Sequence, residues 1–181
     1  KRGGVCRQPS LSVAAKVMLH QWEEPCLVGE KGAGTVFFSG CNLRCCFCQN
    51  GPISQGDVGR PITAERLREI FRELIAQGAS CLDLVTPTHF LPTILPALRP
   101  KLPVPVVYNC GGYERVETLR SLEGCVDIYL PDFKYADARL AGQLSGAADY
   151  FPVAADAIRE MVRQVGAVRW KGEKVTRGVI I

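Results

Sequence analysis

Strand-like and helix-like segments alternate along most of this chain, and this alternation limits the possible folds more than any other feature. Four segments are short, apolar and rich in β-branched or aromatic residues, as strands are: 34–39, 81–86, 104–109 and 125–130. Four segments have the pattern of helices: 63–77, 90–98, 113–122 and 153–165. Alternating strands and helices joined by right-handed crossovers form a parallel sheet. The sequence therefore predicts an α/β fold, and the apolar strands predict a sheet covered on both faces.

The two ends of the chain differ from its middle. Residues 1–33 show no clear alternation, and we interpret them as an N-terminal extension. Residues 34–181 form the predicted α/β domain, to which 137–144 adds one or two helical turns. The last segment, 176–181, begins a fifth strand, so we expect the domain to be incomplete at its C-terminal end. A chain of 181 residues can form one core or part of a larger barrel.

Composition excludes several classes of protein. No run of about 18 apolar residues is present, so we expect no membrane span, and no apolar stretch follows the basic start as in a signal peptide. The net charge of +4 is small and the basic residues are mixed with acidic ones, which does not indicate a nucleic-acid surface. Nine cysteines, four of them crowded together, favour a reducing cytoplasm and a metal site over disulfides.

Polar or thiol-bearing residues follow each of the first four predicted strands. The first strand runs into a cysteine-rich loop at 40–50. The other three end in Thr86-Pro87-Thr88-His89, in Asn109-Cys110-Gly111-Gly112 and in Pro131-Asp132-Phe133-Lys134. In parallel α/β folds the chemistry lies at the carboxyl ends of the strands, which share one edge. The sequence therefore predicts that these four loops form a single site.

The cysteine-rich loop has the spacing of a metal site. Cys41, Cys45 and Cys48 form a C-x3-C-x2-C pattern, and we refer to them as the cluster cysteines. Three thiolates on a tight loop can hold three irons of a cubane cluster and leave the fourth iron open to another ligand. Cys46 is adjacent to Cys45, so we expect its side chain to point elsewhere.

Two other interpretations of these thiols remain open. Zinc is the competing metal, but it usually needs two C-x2-C pairs far apart in sequence, and the chain offers one. The thiols could also be buried structural or redox groups without a metal.

The segment CNLRCCFC (41–48) resembles the C-x3-C-x-φ-C signature of the radical S-adenosylmethionine (SAM) superfamily, with Phe47 as the aromatic residue. Further segments resemble one branch, the iron–sulfur proteins similar to pyruvate formate-lyase-activating enzymes: HQWEEPC (20–26), GTVFFSGCNLRCCFCQN (34–50), VTPTHF (85–90), VYNCGGY (107–113) and DIYLPDFKYAD (127–137). The resemblance implies a partial parallel (β/α)6 TIM-like barrel, here truncated at its C-terminal end, with a 4Fe-4S cluster at its mouth. It also implies an oxidoreductase that splits SAM with one electron into methionine and a 5′-deoxyadenosyl radical, which abstracts hydrogen from a substrate.

The resemblance implies contacts between SAM and two of the loops. Phe47 would lie near the adenine. Thr86 and Thr88 stand where the superfamily usually has a Gly-Gly-Glu segment that contacts the amino group of SAM. The acid of that segment is absent here, and His89 falls close to its place.

The resemblance extends to the next two strand ends. Asn109 and Cys110 stand where activating enzymes have Asp and Thr beside a cation site, and both substitutions put that site in doubt. Asp132 and Lys134 match the D-x-K of those enzymes. A carboxylate at this position can hold a cation or an ammonium group, and Lys134 can meet the SAM carboxylate or pair with Asp132.

Partners and substrate follow only from the resemblance. It implies an electron donor such as flavodoxin or ferredoxin, and a glycyl radical enzyme as the leading target. Modification of another protein, a peptide or a small molecule is the alternative. A non-catalytic zinc or iron–sulfur module is a second class of function that the sequence leaves open.

Several other residues have structural interpretations. We expect His20 and Trp22 to be packing residues, and His89 either to cap the next helix or to belong to the site. We expect Cys81 and Cys125 to be small buried hydrophobic residues at the start of strands.

Overall fold

The computed structural model describes residues 5–181 as a mixed α/β fold. Its strands are β1 (Ser12–His20), β2 (Ala33–Phe38), β3 (Arg60–Ile62), β4 (Leu82–Val85), β5 (Val106–Cys110), β6 (Ile128–Pro131), β7 (Arg169–Lys171) and β8 (Lys174–Val179). Its helices are α1 (Gly51–Gln55), α2 (Ala64–Ala76), α3 (Leu91–Ala97), α4 (Val116–Arg120), α5 (Ala138–Ser145) and α6 (Tyr150–Val165). The predicted strands thus correspond to β2, β4, β5, β6 and β8.

The strands form one sheet in the order β3-β1-β2-β4-β5-β6-β8-β7. β2, β4, β5, β6 and β8 are parallel neighbours in chain order. β1, β3 and β7 are antiparallel strands at the two edges. Because each crossover joins neighbouring parallel strands with the same hand, the connecting helices lie on the same face of the sheet. The sheet is open within the described residues, and the (β/α)6 barrel stays a prediction.

The two faces of the sheet are covered differently. On the helical face the main core joins Tyr108 of β5 to residues of four helices, among them Phe71, Ile94, Leu119 and Met161. On the other face a smaller cluster joins strand residues to Leu27, which lies between β1 and β2, and to Cys81, which directly precedes β4. Its strand members are Ala33, Val107, Ile128 and Val175. The sheet has apolar contacts on both faces, as predicted, but among the described residues helices belong to the core of only one of them.

β1 lies inside the segment that we interpret as an N-terminal extension. It pairs with β2 from Ala14 opposite Phe38 to His20 opposite Ala33, so this part of the chain is an edge of the sheet. The predicted domain boundary at residue 34 falls inside β2. Sequence analysis misses β1 because the pairing shifts between Ala14 and Lys16, which interrupts the strict alternation by which half-buried strands are recognised.

The helices lie where the sequence predicts them, but several differ from the predictions in length. α2 is where the pattern indicates, and Thr63 Oγ1 accepts a hydrogen bond from the Arg66 amide at its N-terminus. α4 is shorter than the predicted 113–122, and α6 begins earlier than Val153. α1, β3 and β7 are too short to show a period in sequence.

Within residues 5–181 no helix combines the length and apolar character needed to cross a membrane.

Candidate metal centre and adjoining cavity

A cavity of about 390 Å³ lies at the carboxyl ends of β2, β4, β5 and β6. All but one of the predicted site residues line it: Cys41, Cys45, Phe47, Cys48, Thr86, Asn109, Asp132 and Lys134. Cys110 and Gly111 also line it, and Thr88 does not. The predicted convergence of the four loops therefore occurs.

Contacts with distant segments hold the cysteine-rich loop in place. The amides of Arg44 and Cys46 donate to the carbonyls of Ser145 (3.0 Å) and Leu144 (2.8 Å), at the end of α5. The side-chain amide of Asn42 donates to the Tyr113 carbonyl at 2.6 Å. The loop thus contacts the segment after β5 and the C-terminus of α5, and its fold depends on both.

Each cluster cysteine has a hydrogen-bonding group at its sulfur. The Leu43 amide donates to Cys41 Sγ at 3.4 Å. Ser145 Oγ donates to Cys45 Sγ at 2.9 Å, and Ser54 Oγ lies 3.3 Å from Cys48 Sγ. Hydrogen bonds to the sulfur atoms are among the factors that set the reduction potentials of iron–sulfur clusters. The cluster cysteines thus have surroundings suited to such a cluster.

Cys46 differs from its neighbours. Its side chain is exposed and does not line the cavity. This agrees with the expectation that adjacent cysteines diverge, although the ligand set itself stays a prediction.

The protonation of the thiols bears on how a metal would bind. Burial raises the pKa of the Cys41 thiol to about 11, and the nearby Cys45 and Cys48 add to the rise. A bound metal has to displace this proton, because the thiolate is the ligand. Among the described residues no three His, Cys, Asp or Glu side chains are already arranged to hold a metal ion. The three thiols nevertheless share one cavity, and three soft sulfur donors fit an iron–sulfur cluster.

Two aromatic side chains on the cavity wall are exposed. Phe47 is 53% exposed and lies edge-on to Tyr135, with ring centroids 6.3 Å apart. Trp22 is 91% exposed, so its interpretation as a packing residue is wrong. Both rings are open to a ligand that enters the cavity.

The segment after β4 turns sharply. Thr86 has a φ of 57°, which is rare for a β-branched residue, and its amide donates to the Asn109 carbonyl at 2.8 Å. Thr88 then begins a single 3-10 turn. Its hydroxyl lies 2.8 Å from Tyr108 Oη and donates to Glu114 Oε1 at 2.8 Å. Thr86 therefore lines the cavity, whereas Thr88 is directed into a buried polar group.

Glu114 is the residue that sequence analysis misses in this region. It is buried, and its Oε2 has no hydrogen-bond partner in the part of the chain that the structure describes. Burial raises its pKa to about 8, and hydrogen bonds from Thr88 and Cys110 oppose part of the rise. Its position directly after Gly111-Gly112-Tyr113, at a strand end on the predicted site edge, was the available signal.

Asp132 and Lys134 form an ion pair on the cavity wall. Lys134 Nζ lies 2.6 Å from Asp132 Oδ2, so the pair that the sequence allowed is present. The hydroxyl of Tyr150 lies 2.9 Å from the carbonyls of Gly111 and Asp132 and accepts from the Lys134 amide at 3.0 Å. Tyr150 comes from α6 and joins the β5 and β6 loops, a contact that only the tertiary structure reveals.

Only glycine fits at position 112, where the β5 and β6 loops lie close together. Its φ is +74°, and an added Cβ would lie 2.2 Å from the Asp132 carbonyl oxygen. Any side chain at this position would therefore strain the backbone and collide with the β6 loop.

Both histidines lie near the candidate site, His20 on the cavity wall and His89 beside the cysteine-rich loop. His20 packs edge-on against Phe37 at 5.9 Å, as expected of a packing residue, and it also lines the cavity. His89 does not cap α3; its Nε2 lies 2.7 Å from the Ser39 carbonyl, next to the cysteine-rich loop. Burial lowers the pKa of His89.

The two cysteines that we expect to be buried at the start of strands, Cys81 and Cys125, differ in their burial. Cys81 is buried in the cluster on the helix-free face, as expected. Cys125 is partly buried and accepts a hydrogen bond from Arg99 Nε at 3.4 Å.

Comparisons with known proteins bear on the metal. Residues 28–87 match the family model described as a 4Fe-4S single cluster domain, and this stretch contains all three cluster cysteines. The chain is also 33% identical over 160 residues to an uncharacterized protein of Methanocaldococcus jannaschii. The match covers 83% of this chain and 46% of the relative, so the chain spans less than half the length of that protein.

A 4Fe-4S cluster-binding domain is therefore present, and the prediction of an iron–sulfur site is confirmed at that level.

Proposed function

We propose that this protein is a radical SAM enzyme in which the cluster cysteines hold a 4Fe-4S cluster and the adjoining cavity holds SAM. One observation carries the proposal. The cavity wall combines three thiols of one loop with polar residues from the carboxyl ends of β4, β5 and β6. A purely structural metal loop has no need of a shared cavity with three further strand ends.

The chemistry supplied by such a cluster is one-electron reduction of SAM, which gives methionine and a 5′-deoxyadenosyl radical. The protein's own residues bind and orient. Phe47 offers an exposed ring for the adenine. Lys134 offers an ammonium group for the SAM carboxylate, at the cost of its pair with Asp132. Thr86 and Asn109 offer polar groups to SAM on the same wall.

The fold supports this proposal. Five parallel strands in chain order, with helices on one face, are the arrangement expected of a partial (β/α)6 barrel. We propose that the open sheet is such a partial barrel. Its helix-free face then corresponds to the barrel interior, where the cavity opens at the carboxyl ends of the strands.

The partners that we propose are an electron donor such as flavodoxin or ferredoxin and a target from which hydrogen is abstracted. A glycyl radical enzyme is the first candidate target, by resemblance. Asn109 and Cys110 replace the Asp and Thr of the activating enzymes, so another protein, a peptide or a small molecule is the second.

Anaerobic purification tests the proposal. The protein should be brown, with broad absorption at about 400 nm that bleaches with dithionite, as iron–sulfur thiolate sites do. With dithionite and SAM it should release 5′-deoxyadenosine and methionine, and incubation with candidate glycyl radical enzymes should be followed by electron paramagnetic resonance. A colourless protein with one zinc, or a brown protein that never cleaves SAM, would contradict radical SAM chemistry.

A further inference from the structure

A second cavity, of about 330 Å³, adjoins the cavity that the cluster cysteines line. Three residues line both of them: Glu23, Asn109 and Asp132. The volume of the second cavity is within the range of ligand pockets, roughly 300–1,000 Å³. The proposed chemistry leaves this second cavity unused, so a molecule bound in it would lie next to the proposed SAM cavity.

The second cavity is lined by acids. Glu23 is half-buried, Glu24 and Asp132 are exposed, and all three belong to its wall. Among the residues that the structure describes, no Lys, Arg or His lines it. Because the charges on the wall have one sign, the second cavity favours a cationic group over a neutral or anionic one.

Two of the three acids have no cationic partner within residues 5–181. No salt bridge there includes Glu23 or Glu24. The Nζ of Lys174 donates instead to the carbonyls of Pro25 and Val28. Asp132, the third acid, is paired with Lys134, which lines the first cavity and not the second. A ligand cation in the second cavity would therefore meet two carboxylates that no basic side chain of the described protein already neutralises.

The rest of the wall is largely apolar and includes an exposed ring. Leu130, Pro131 and Phe133 line the second cavity beside the acids. Phe133 is 43% exposed, and its ring centroid lies 5.5 Å from that of Phe151 on α6. An exposed aromatic face next to carboxylates suits a cation that can stack on the ring.

One kind of cation matches both features of this wall. A guanidinium group is planar, carries five N–H donors and no acceptor, and is weakly hydrated, so it can stack on a ring and bind carboxylates at the same time. An ammonium group is a strongly hydrated point charge without a face to stack. A hard metal ion takes six or more oxygen ligands, and an aromatic and aliphatic wall offers none.

We propose that the second cavity is a subsite for a guanidinium group of the substrate, with Glu23 and Glu24 as its anionic partners and Phe133 as its stacking surface. The inference rests on the proposed function, because only that function makes the ligand of this neighbouring cavity a substrate. It names the substrate class as an alkylguanidine, which is either a small molecule or an arginine residue of a peptide. SAM has no guanidinium group, so the subsite is separate from that of SAM.

The test titrates n-butylguanidinium into cluster-loaded protein and follows binding by ligand-observed NMR. We expect a Kd of about 1–10 mM, as is reasonable for a ligand of this size on an open wall. The uncharged, planar n-butylurea should bind much more weakly, because it lacks the charge. The charged n-butylammonium should also bind more weakly, because it cannot stack. Binding of n-butylurea or n-butylammonium as tight as that of n-butylguanidinium would overturn the proposal.

Variants identify the residues of the subsite. Glu23→Gln and Glu24→Gln should each weaken n-butylguanidinium binding about threefold and together about tenfold, as expected of half-exposed ion pairs. Phe133→Leu keeps an apolar side chain and should weaken binding about threefold through the loss of stacking. Glu117→Gln, which removes an exposed acid on α4 that lines neither cavity, should bind as the wild type does. Wild-type affinity in the double variant or in Phe133→Leu would contradict the subsite. Iron content should be the same in all variants, since none of them changes a cluster cysteine.

A titration at saturating SAM separates this inference from the proposed function. An unchanged or tighter Kd for n-butylguanidinium supports a subsite beside SAM, whereas competition assigns the second cavity to SAM and overturns it. Failure of SAM cleavage with n-butylguanidinium binding intact would contradict the proposed function and leave the guanidinium subsite standing. The source of the group follows from two further ligands. Tighter binding of the blocked tripeptide acetyl-Gly-Arg-Gly-amide than of n-butylguanidinium supports an arginine residue in the subsite, and tighter binding of free arginine than of both supports a small molecule there. No binding of any guanidinium ligand would sink the proposal.

Discussion

Glu114 should make the stability of this protein fall as the pH rises from 5 to 8. The carboxyl group is buried, and its pKa is raised from the usual 4.5 to about 8. A raised acid pKa means that the folded state keeps a proton which the unfolded state has released. Stability is therefore lost as the pH rises from about 4.5 through about 8, and it is greatest below the unfolded pKa.

The size of the effect follows from the span of pH. Each pH unit within the window costs about 1.4 kcal/mol, so wild-type protein should lose about 4 kcal/mol between pH 5 and pH 8 through this residue. For a domain of this length that corresponds to a fall of about 8–16 °C in Tm. Glu114→Gln keeps an acceptor for Thr88 Oγ1 and has no carboxyl proton to lose. The loss of stability between pH 5 and pH 8 that Glu114 causes should therefore be absent in this variant.

Anaerobic thermal unfolding of cluster-loaded protein at pH 5, 6, 7 and 8 measures the difference. The matched control is Glu117→Gln, which removes an exposed acid on α4 and should follow the wild type. Equal pH dependence of Tm in wild type and Glu114→Gln would refute the inference that burial keeps this carboxyl group protonated.

Three further predictions concern the site. Replacing any cluster cysteine by Ala should remove the bound iron and all SAM cleavage, and replacing Cys46 should leave iron content largely intact; the reverse pattern in iron analysis would be decisive against this ligand set. Asp132→Asn and Lys134→Ala should each weaken SAM binding with iron content unchanged, whereas a solvated ion pair without function predicts an effect below about 1 kcal/mol. Tyr150→Phe should lower the free energy of unfolding by about 1–3 kcal/mol, because its buried hydroxyl contacts three backbone groups. Tyr113→Phe, whose hydroxyl bonds Asp149 at the surface, should cost less than half as much, and equal losses in denaturant unfolding would contradict the role of Tyr150.

Local patterns in the sequence were sufficient to predict the strands of the parallel sheet and the position of the candidate site. Carboxyl ends of neighbouring parallel strands share one edge whatever their helices do, so Asn109 and Asp132 could be assigned to one cavity with the cysteine-rich loop. The interpretation of Trp22 failed because exposure depends on which distant segments pack nearby, and within residues 5–181 none covers the ring.

By itself the sequence favoured a metal site at the cluster cysteines and determined the edge of the sheet where the candidate site lies. Thiol spacing within one tight loop and the order of strands and helices are local properties, and they need no knowledge of long-range contacts. Only the tertiary structure decided that Thr88 is directed toward Glu114 rather than into the cavity. That contact joins residues 26 positions apart, and the burial that raises the pKa of Glu114 exists only when the sheet and its loops have assembled.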